Sequence, residues 1–486
     1  MTVVKRIARN VVFMTVAQVS GYGLGFFYII YTARYLGAEG FGILSFALAF
    51  TAIFGVLTDI GLQPLTVREV ARDKTLAPKY LANLTSIKFI LSAITFALIA
   101  VVINIMDYPA KTVEIVYIVA LSVLVNSFIT MIYSIFQAHE RMEFQSIGQV
   151  ISSAVMLIGA VLAIKAGLDI TVFATLYLIA SLFALIYSLL ILGTRFKEVC
   201  LGWCRRKIFE LDVSFWKATL KEALPFGLGL FFMMIFYWVD SVMLSQMKGN
   251  AVVGWYNAAY RMVLVLLFIP QTLINALYPV MSTFKGEDAA SLRNSHEKSL
   301  KYLSILALPI AVGTTLLAPR FILLIFGPEY ENSVLPLQIL VWSAVFIYMS
   351  ITYGNLFNCL NKQGLVTIIT GTCVLANVIF NLLLIPRYSL VGASIATVLT
   401  ELTSLCLCIA LSMRSGYASS GKKLSNILIK TIISSTVMGL FILISGSLHL
   451  ALIIPAAAVI YFISVYVTGA VDRDDIVLFQ SVLSRK

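Results

Sequence analysis

The sequence predicts an all-α polytopic membrane protein of about 14 transmembrane helices, arranged as two six-helix bundles related by a parallel pseudo-two-fold repeat plus a C-terminal helix pair. Three observations predict it. Of the 486 residues, 60% are hydrophobic and only 12% charged, against about 25% charged in soluble domains. The apolar residues fall in long runs separated by short polar turns. A glycine-bracketed segment occurs twice, at equivalent places in two successive sets of six runs.

A window of about 19 residues marks first-half spans at 10–33, 40–62, 79–103, 113–134, 147–166 and 169–193. Second-half spans follow at 221–245, 252–281, 299–319, 334–357, 364–386 and 389–412, then a pair at 425–446 and 448–469. Each can cross about 30 Å of hydrocarbon at about 1.5 Å per residue. The opening Lys5, Arg6 and Arg9 resemble a signal peptide. The apolar run behind them is too long for one, so it reads as an uncleaved first helix. The expected division is 1–193 for the first lobe, 194–220 for a basic linker, 221–412 for the second lobe and 413–486 for the terminal pair and tail.

Lysine and arginine orient the chain. With the N-terminus inside, about 26 of them face that side and about 6 the other, the bias of cytoplasmic loops. Inner loops carry Arg68, Arg72, Lys74 and Lys79, then Lys285, Arg293, Lys298 and Lys301, while the linker carries Arg195, Lys197, Arg205, Arg206, Lys207 and Lys217. Both termini are expected to be cytoplasmic. The net charge of +12 is therefore spent on orientation. It forms no continuous basic face with interleaved aromatics, which excludes nucleic acid as a partner.

The repeat pairs Gly37-Ala38-Glu39-Gly40-Phe41-Gly42 with Gly249-Asn250-Ala251-Val252-Val253-Gly254, each in the outer turn after the first helix of its half. Phe136-Gln137-Ala138 matches Phe357-Asn358-Cys359, each ending a fourth helix. Six spans per half start both halves on the same side, which makes the repeat parallel and puts a substrate site at the interface of the halves.

No cofactor or metal is expected. The six cysteines form no C-x-x-C pair, and the three histidines lie far from them in sequence. No P-loop is present, so the chain does not hydrolyse ATP. The chemistry-bearing residues are instead ionisable groups within spans, where a charge at mid-bilayer costs about 2.5–3.5 kcal/mol. They are Asp59, Lys88, Asp240, Arg261 and Glu401. Arg261 with Lys88 suits an anionic head group, while Asp240, Glu401 or Asp59 could balance charge or bind a coupling cation. The alternative is structural pairing, such as Arg261 with Glu401. Arg34, at the outer end of the first helix, is either an interfacial anchor or a ligand.

The segments ARYLGAEGFG (33–42), TDIG (58–61), VREVARDK (67–74) and GNAVVGWYNAAYRM (249–262) resemble those of polysaccharide-type lipid flippases of the multidrug/oligosaccharidyl-lipid/polysaccharide exporter superfamily. The resemblance extends over the whole chain in span number and halves. It implies a non-enzymatic transporter in the cell membrane that moves a polyprenyl-phosphate- or pyrophosphate-linked oligosaccharide from the cytoplasmic to the outer leaflet by alternating access. It also implies a cationic cavity with Arg261 as its first residue. A two-lobed transporter can work as a monomer, with polysaccharide-assembly enzymes as expected partners, and sodium or protons are the candidate coupling ions. In similar lipid II flippases, helices thirteen and fourteen form a lipid-tail groove. A cation-coupled drug or metabolite antiporter on the same fold is the rival reading.

Overall fold

The computed structural model describes residues 3–205, 212–274, 289–417, 421–446 and 448–471. Part of the linker (206–211, with Arg206, Lys207 and Leu211) lies outside the described residues, as do Pro279 and Lys285. Among the described residues the chain is helical throughout, with twelve helices long and apolar enough to cross a membrane.

Two of those helices are double. α1 (Val3–Gly55) has a non-helical residue at Gly37, and α12 (Gln363–Arg414) has one at Ser389. At about 1.5 Å per residue, 52 residues of straight helix would be more than twice the hydrocarbon thickness, so each is a pair of crossings. Fourteen crossing segments result, as the hydropathy pattern predicts. Between α1 and α12 run α2 (Leu62–Arg72), α3 (Ala77–Ile105), α4 (Ala110–Ala138), α5 (Met142–Lys165), α6 (Ile170–Arg195), α7 (Lys197–Arg205), α8 (Val213–Lys248), α9 (Asn250–Leu266), α10 (Ala289–Ile325) and α11 (Val334–Cys359). After α12 come α13 (Gly421–Ile444) and α14 (Leu450–Val467).

The connections after the second and sixth spans differ from the sequence expectation. What reads as loop after the second span is α2, a short amphipathic helix. The linker contains α7 and the start of α8, whose first turn is capped by Asp212 accepting from Phe215 N at 3.0 Å. That amide, with the Ser214 hydroxyl, holds the Asp212 carboxyl below the usual carboxylate range.

The duplication is written in the backbone. Positive φ occurs at Gly37 and Gly249, Asp107 and Gly327, Glu140 and Asn361, and Gly167 and Ser389. Each pair stands at the same turn of its half, with offsets of 212, 220, 221 and 222 residues. The Phe136 and Phe357 matches are one C-cap made twice. Arg141 N donates to Phe136 O and Glu140 N to Gln137 O, both at 2.9 Å, while Lys362 N donates to Phe357 O at 2.8 Å and Asn361 N to Asn358 O at 3.1 Å. This double bond pattern closes a helix with a left-handed residue at its end. Gly37 (φ 67°, ψ −179°) and Gly249 (φ 88°, ψ 174°) occupy a region that only glycine enters cheaply.

By packing, the chain forms two compact units, Met1–Gly254 and Trp255–Lys486. α8 thus packs with the first unit, although the repeat makes it the opening helix of the second half. The reason is close backbone contact at both of its ends. A Cβ on Gly42 would overlap Asn250 O, and one on Gly254 would overlap Ala38 O, so the two repeat segments cross reciprocally, each glycine on the other's backbone. At the opposite end, Gly61 (φ 81°) lies against Ala223 O and Gly227 N.

The first unit has two apolar clusters along its length. One gathers Phe46, Ile99, Ile115 and Phe173, the other Leu62, Leu84, Ile132 and Phe136. In the second unit, α13 and α14 pack on α10 through Met438, Ile453 and Tyr461. Lys430 Nζ donates to Gly469 O at 2.9 Å across this terminal pair.

Substituting Gly37→Ala or Gly249→Ala should each cost about 1–3 kcal/mol through backbone strain. Gly354→Ala, where φ is ordinary and the space open, should cost far less. Thermal unfolding of the purified protein in detergent measures the difference.

Candidate functional site

The six predicted residues separate into a paired set and a set in polar surroundings. Asp59 and Lys88 come together. Lys88 Nζ lies 2.6 Å from Asp59 Oδ1, and donates also to Ser127 Oγ at 3.1 Å and Thr58 O at 3.4 Å. Lys88 is 1% exposed and Asp59 18%. The other Asp59 oxygen accepts from Gln63 N at 3.1 Å, at the start of α2. The sequence around Asp59 explains the geometry. A three-residue 3-10 turn (Val56–Thr58) ends α1, and Ile60 and Gly61 both take positive φ before α2 begins. The break leaves the Thr58 carbonyl without a helical partner. The Lys88 ammonium and the Ser127 hydroxyl (3.2 Å) both supply it.

This polar layer lies between the two apolar clusters of the first unit, since α3, α4 and the α1 segment each pass from one cluster to the other on either side of Lys88, Ser127 and Thr58. Its charges compensate one another within hydrogen-bonding distance. Below it, α2 docks on α8 through the ion pair of Arg68 with Glu222 and through Arg68 standing over the Phe226 ring at 5.9 Å, while Arg68 also pairs with Glu69 of α2 itself at 2.7 Å.

Asp240 is 4% exposed on α8, next to Ser241 and about one turn before Leu244 and Ser245, which are also buried. Ser245 accepts from Tyr108 OH and donates to Asn250 Oδ1, both at 2.9 Å, tying α8 to α9 under the Gly249 turn. Arg34 is exposed, three residues before the Gly37 turn.

Arg261 and Glu401 belong to the second unit. Arg261 is half-buried on α9, beside a stacked pair, Tyr256 and Tyr260, with ring centroids 5.8 Å apart. Glu401 is 7% exposed on the second segment of α12. Around these two residues the unit holds a polar network that a search for charges misses. Tyr256 OH meets Thr397 Oγ1 at 3.0 Å, Asn377 Nδ2 donates to Thr400 Oγ1 at 3.4 Å, and Asn381 Nδ2 donates to Asn377 Oδ1 at 2.9 Å. Asn377 and Asn381 stand at i and i+4 inside an apolar segment, and Thr397, Thr400 and Glu401 share a face of the returning helix. That spacing is the signal in the sequence.

Chemically, the second unit offers a half-buried guanidinium that follows two stacked tyrosines on α9, together with hydrogen-bonded threonines and amides on α12, and the first unit offers a neutralised ion pair. Among the described residues no cluster of three or more acidic, histidine or cysteine side chains could hold a metal ion.

Removing one partner of the Lys88–Asp59 pair should destabilise the protein by about 3–5 kcal/mol, because the other charge stays buried alone. Lys88→Met and Asp59→Asn should each show this loss. The double variant should recover much of it, which a double-mutant cycle on thermal unfolding in detergent would reveal.

Comparison with known proteins places this arrangement. Residues 225–383 match the MatE profile. The chain is 24% identical over 407 residues to the probable low-salt glycan biosynthesis flippase Agl15 of Haloferax volcanii, covering 81% of each chain. It is 24% identical over 332 residues to the lipopolysaccharide biosynthesis protein WzxC of Escherichia coli, covering 67% of this chain and 64% of that one. In fold it is similar to the lipid II flippase MurJ in an inward closed conformation, with TM-score 0.75 at 14% identity over 96% of this chain and 100% of MurJ. It also resembles a multidrug resistance MATE family transporter of the MOP superfamily, with TM-score 0.67 at 16% identity over 84% and 98% of the two chains. Residues 7–285, more than half of the sequence, match the profile of the polysaccharide biosynthesis protein family, and this multi-pass membrane protein belongs to that family.

Proposed function

We propose that the protein is a flippase that moves a polyprenyl-phosphate- or pyrophosphate-linked oligosaccharide from the cytoplasmic to the outer leaflet of the cell membrane, with both termini cytoplasmic. The observation that carries this reading is the combination of family membership with a guanidinium, Arg261, held half-buried within an apolar span. A phosphate-linked sugar cannot cross hydrocarbon unaided, so a cation at that depth is the group its head needs. The glycan flippase and lipopolysaccharide names of its relatives point to the same cargo class. Transport rather than catalysis accounts for both.

In this reading Arg261 contacts the phosphate, and the Tyr256–Asn377–Thr397 network with Glu401 shapes the polar surface around it. Lys88, already bonded to Asp59, contributes a neutral polar layer in the first lobe. Arg34 stands at the outer end as a second phosphate contact. Asp240 and Glu401 are the groups that would take a coupling sodium ion or proton. An inside-negative potential favours outward movement of an anion by about 2.3 kcal/mol per charge per 100 mV. The protein works as a monomer, receiving its cargo from the enzymes that assemble it.

Cells lacking the protein should accumulate a lipid-linked glycan, measured by mass spectrometry of extracted lipids. Re-expression should clear it, and Arg261→Ala should not. The MatE match supplies the rival: unchanged lipid-linked pools together with lost resistance to toxic cations would make the protein a drug antiporter instead. Coupling has its own readout. If Asp240 and Glu401 take the ion, Asp240→Asn and Glu401→Gln should make clearance independent of the ion gradients, whereas transport that ignores those gradients in the unaltered protein removes the coupling role.

A further inference from the structure

The C-cap repeated in the two halves sets up a comparison between two places that ought to look alike. In each half the fifth crossing begins at a cationic residue right after the cap, Arg141 before α5 and Lys362 before α12. In each half the sixth crossing ends on an arginine, Arg195 or Arg414. The first-half position is filled from within. Arg141 pairs with Glu143, and its guanidinium stacks on Phe144 at 4.6 Å.

The second-half position is open. Counting from the cap, Gly364 stands where the first half has Glu143, and Leu365 stands in place of Phe144. Nothing lies within 4 Å of where a Cβ on Gly364 would be. The space left is a notch of about 440 Å³ lined by Lys362, Gly364, Leu365, Ile368, Leu411 and Arg414, with Ser415 at its edge. Because α12 reverses at Ser389, its first and last turns stand together at one membrane surface, and this brings Lys362 beside Arg414. Among the described residues neither cation has an ion-pair partner. Along α12 itself the nearest acid to Arg414 is Glu401, thirteen residues or about 20 Å away by helical rise.

The notch is amphipathic in the direction of the membrane normal. Its top is cationic and its lower wall is aliphatic. Ile368, six residues and about 9 Å below Lys362 along the helix, is 61% exposed. A soluble phosphate would satisfy the cations and leave that wall bare. A diacyl phosphate ester satisfies both, and basic pockets between transmembrane helices are places where acidic lipid head groups bind.

We propose that this notch is a binding site for one anionic phospholipid of the leaflet it opens to, with its phosphate between Lys362 and Arg414 and an acyl chain along Ile368 and Leu411. The lipid supplies the second half with the negative charge that Glu143 supplies to the first. The site is separate from Arg261 and does not depend on the cargo.

Native mass spectrometry of the purified full chain, with phosphatidylglycerol or phosphatidylcholine added at equal concentration, tests it. One phosphatidylglycerol should be retained in preference to phosphatidylcholine. Lys362→Gln and Arg414→Gln should each weaken retention about fivefold. Gly364→Glu, which copies the first half, should abolish it, while Gly364→Ala should keep it. Lys165→Gln, at an exposed lysine on the far end of α5, should leave retention unchanged. All these positions are exposed, and thermal unfolding confirms that each variant is folded. Equal retention of the two lipids, or full retention by Lys362→Gln and Gly364→Glu, would overturn the site. So would selective retention of an added polyprenyl phosphate over phosphatidylglycerol, which would make the notch a cargo entry point.

Discussion

A lysine ammonium can be buried in a helical bundle only where a carboxylate stands next to it, and much of the first unit depends on that pairing. Lys88 and Asp59 lie 2.6 Å apart, at the end of α1, where the helix gives way to a turn and its backbone needs outside partners. In hydrocarbon an unpaired backbone carbonyl costs several kcal/mol. The Thr58 carbonyl avoids that cost because Lys88 and Ser127 both donate to it. The same break turns the chain into α2, whose Arg68 then reaches Glu222 on α8. One ion pair therefore makes possible a helix break, a change of direction and the docking of α2 on α8.

Three of the four segments that suggest the family from sequence turn out to be joints. ARYLGAEGFG holds the Gly37 reversal and the Gly42 contact. TDIG is the break that Lys88 supports. GNAVVGWYNAAYRM contains the Gly249 turn, the Gly254 contact and Tyr256 of the polar network. These positions need particular residues because backbone geometry or close approach forbids others, whereas a lipid-facing position accepts nearly any apolar side chain. Motif character and mechanical demand coincide here.

What could be read in the sequence follows the same logic. Hydropathy alone shows the crossings, since lipid imposes length and composition on every span. The Gly37/Gly249 and Phe136/Phe357 matches show the duplication, and both recur as backbone conformations. Asp59 and Lys88 are each visible as charges out of place, but their partnership is not, because 29 residues of chain separate them and only the fold sets their distance. α2 and α7 are hidden because they are short and amphipathic, below the span window. The network of Tyr256, Asn377 and Thr397 is hidden because neutral polar residues cost too little in a span to stand out. The packing of α8 with the first unit is legible only afterwards, in glycines whose importance is the side chain they lack.

The crossing of Ala38–Gly42 with Asn250–Gly254 is made of backbone on backbone, and this has a thermodynamic consequence. The glycine–backbone contacts themselves carry no titrating group and no net charge, so their own contribution to holding the two stretches of chain together is insensitive to acidity and to ionic strength. The close packing at those glycines weakens steeply with separation, a gap of about 0.5–1 Å forfeiting a quarter to a half of each contact. Any dependence of the junction on a proton, a salt or the membrane voltage therefore comes from charged side chains and not from the glycine contacts.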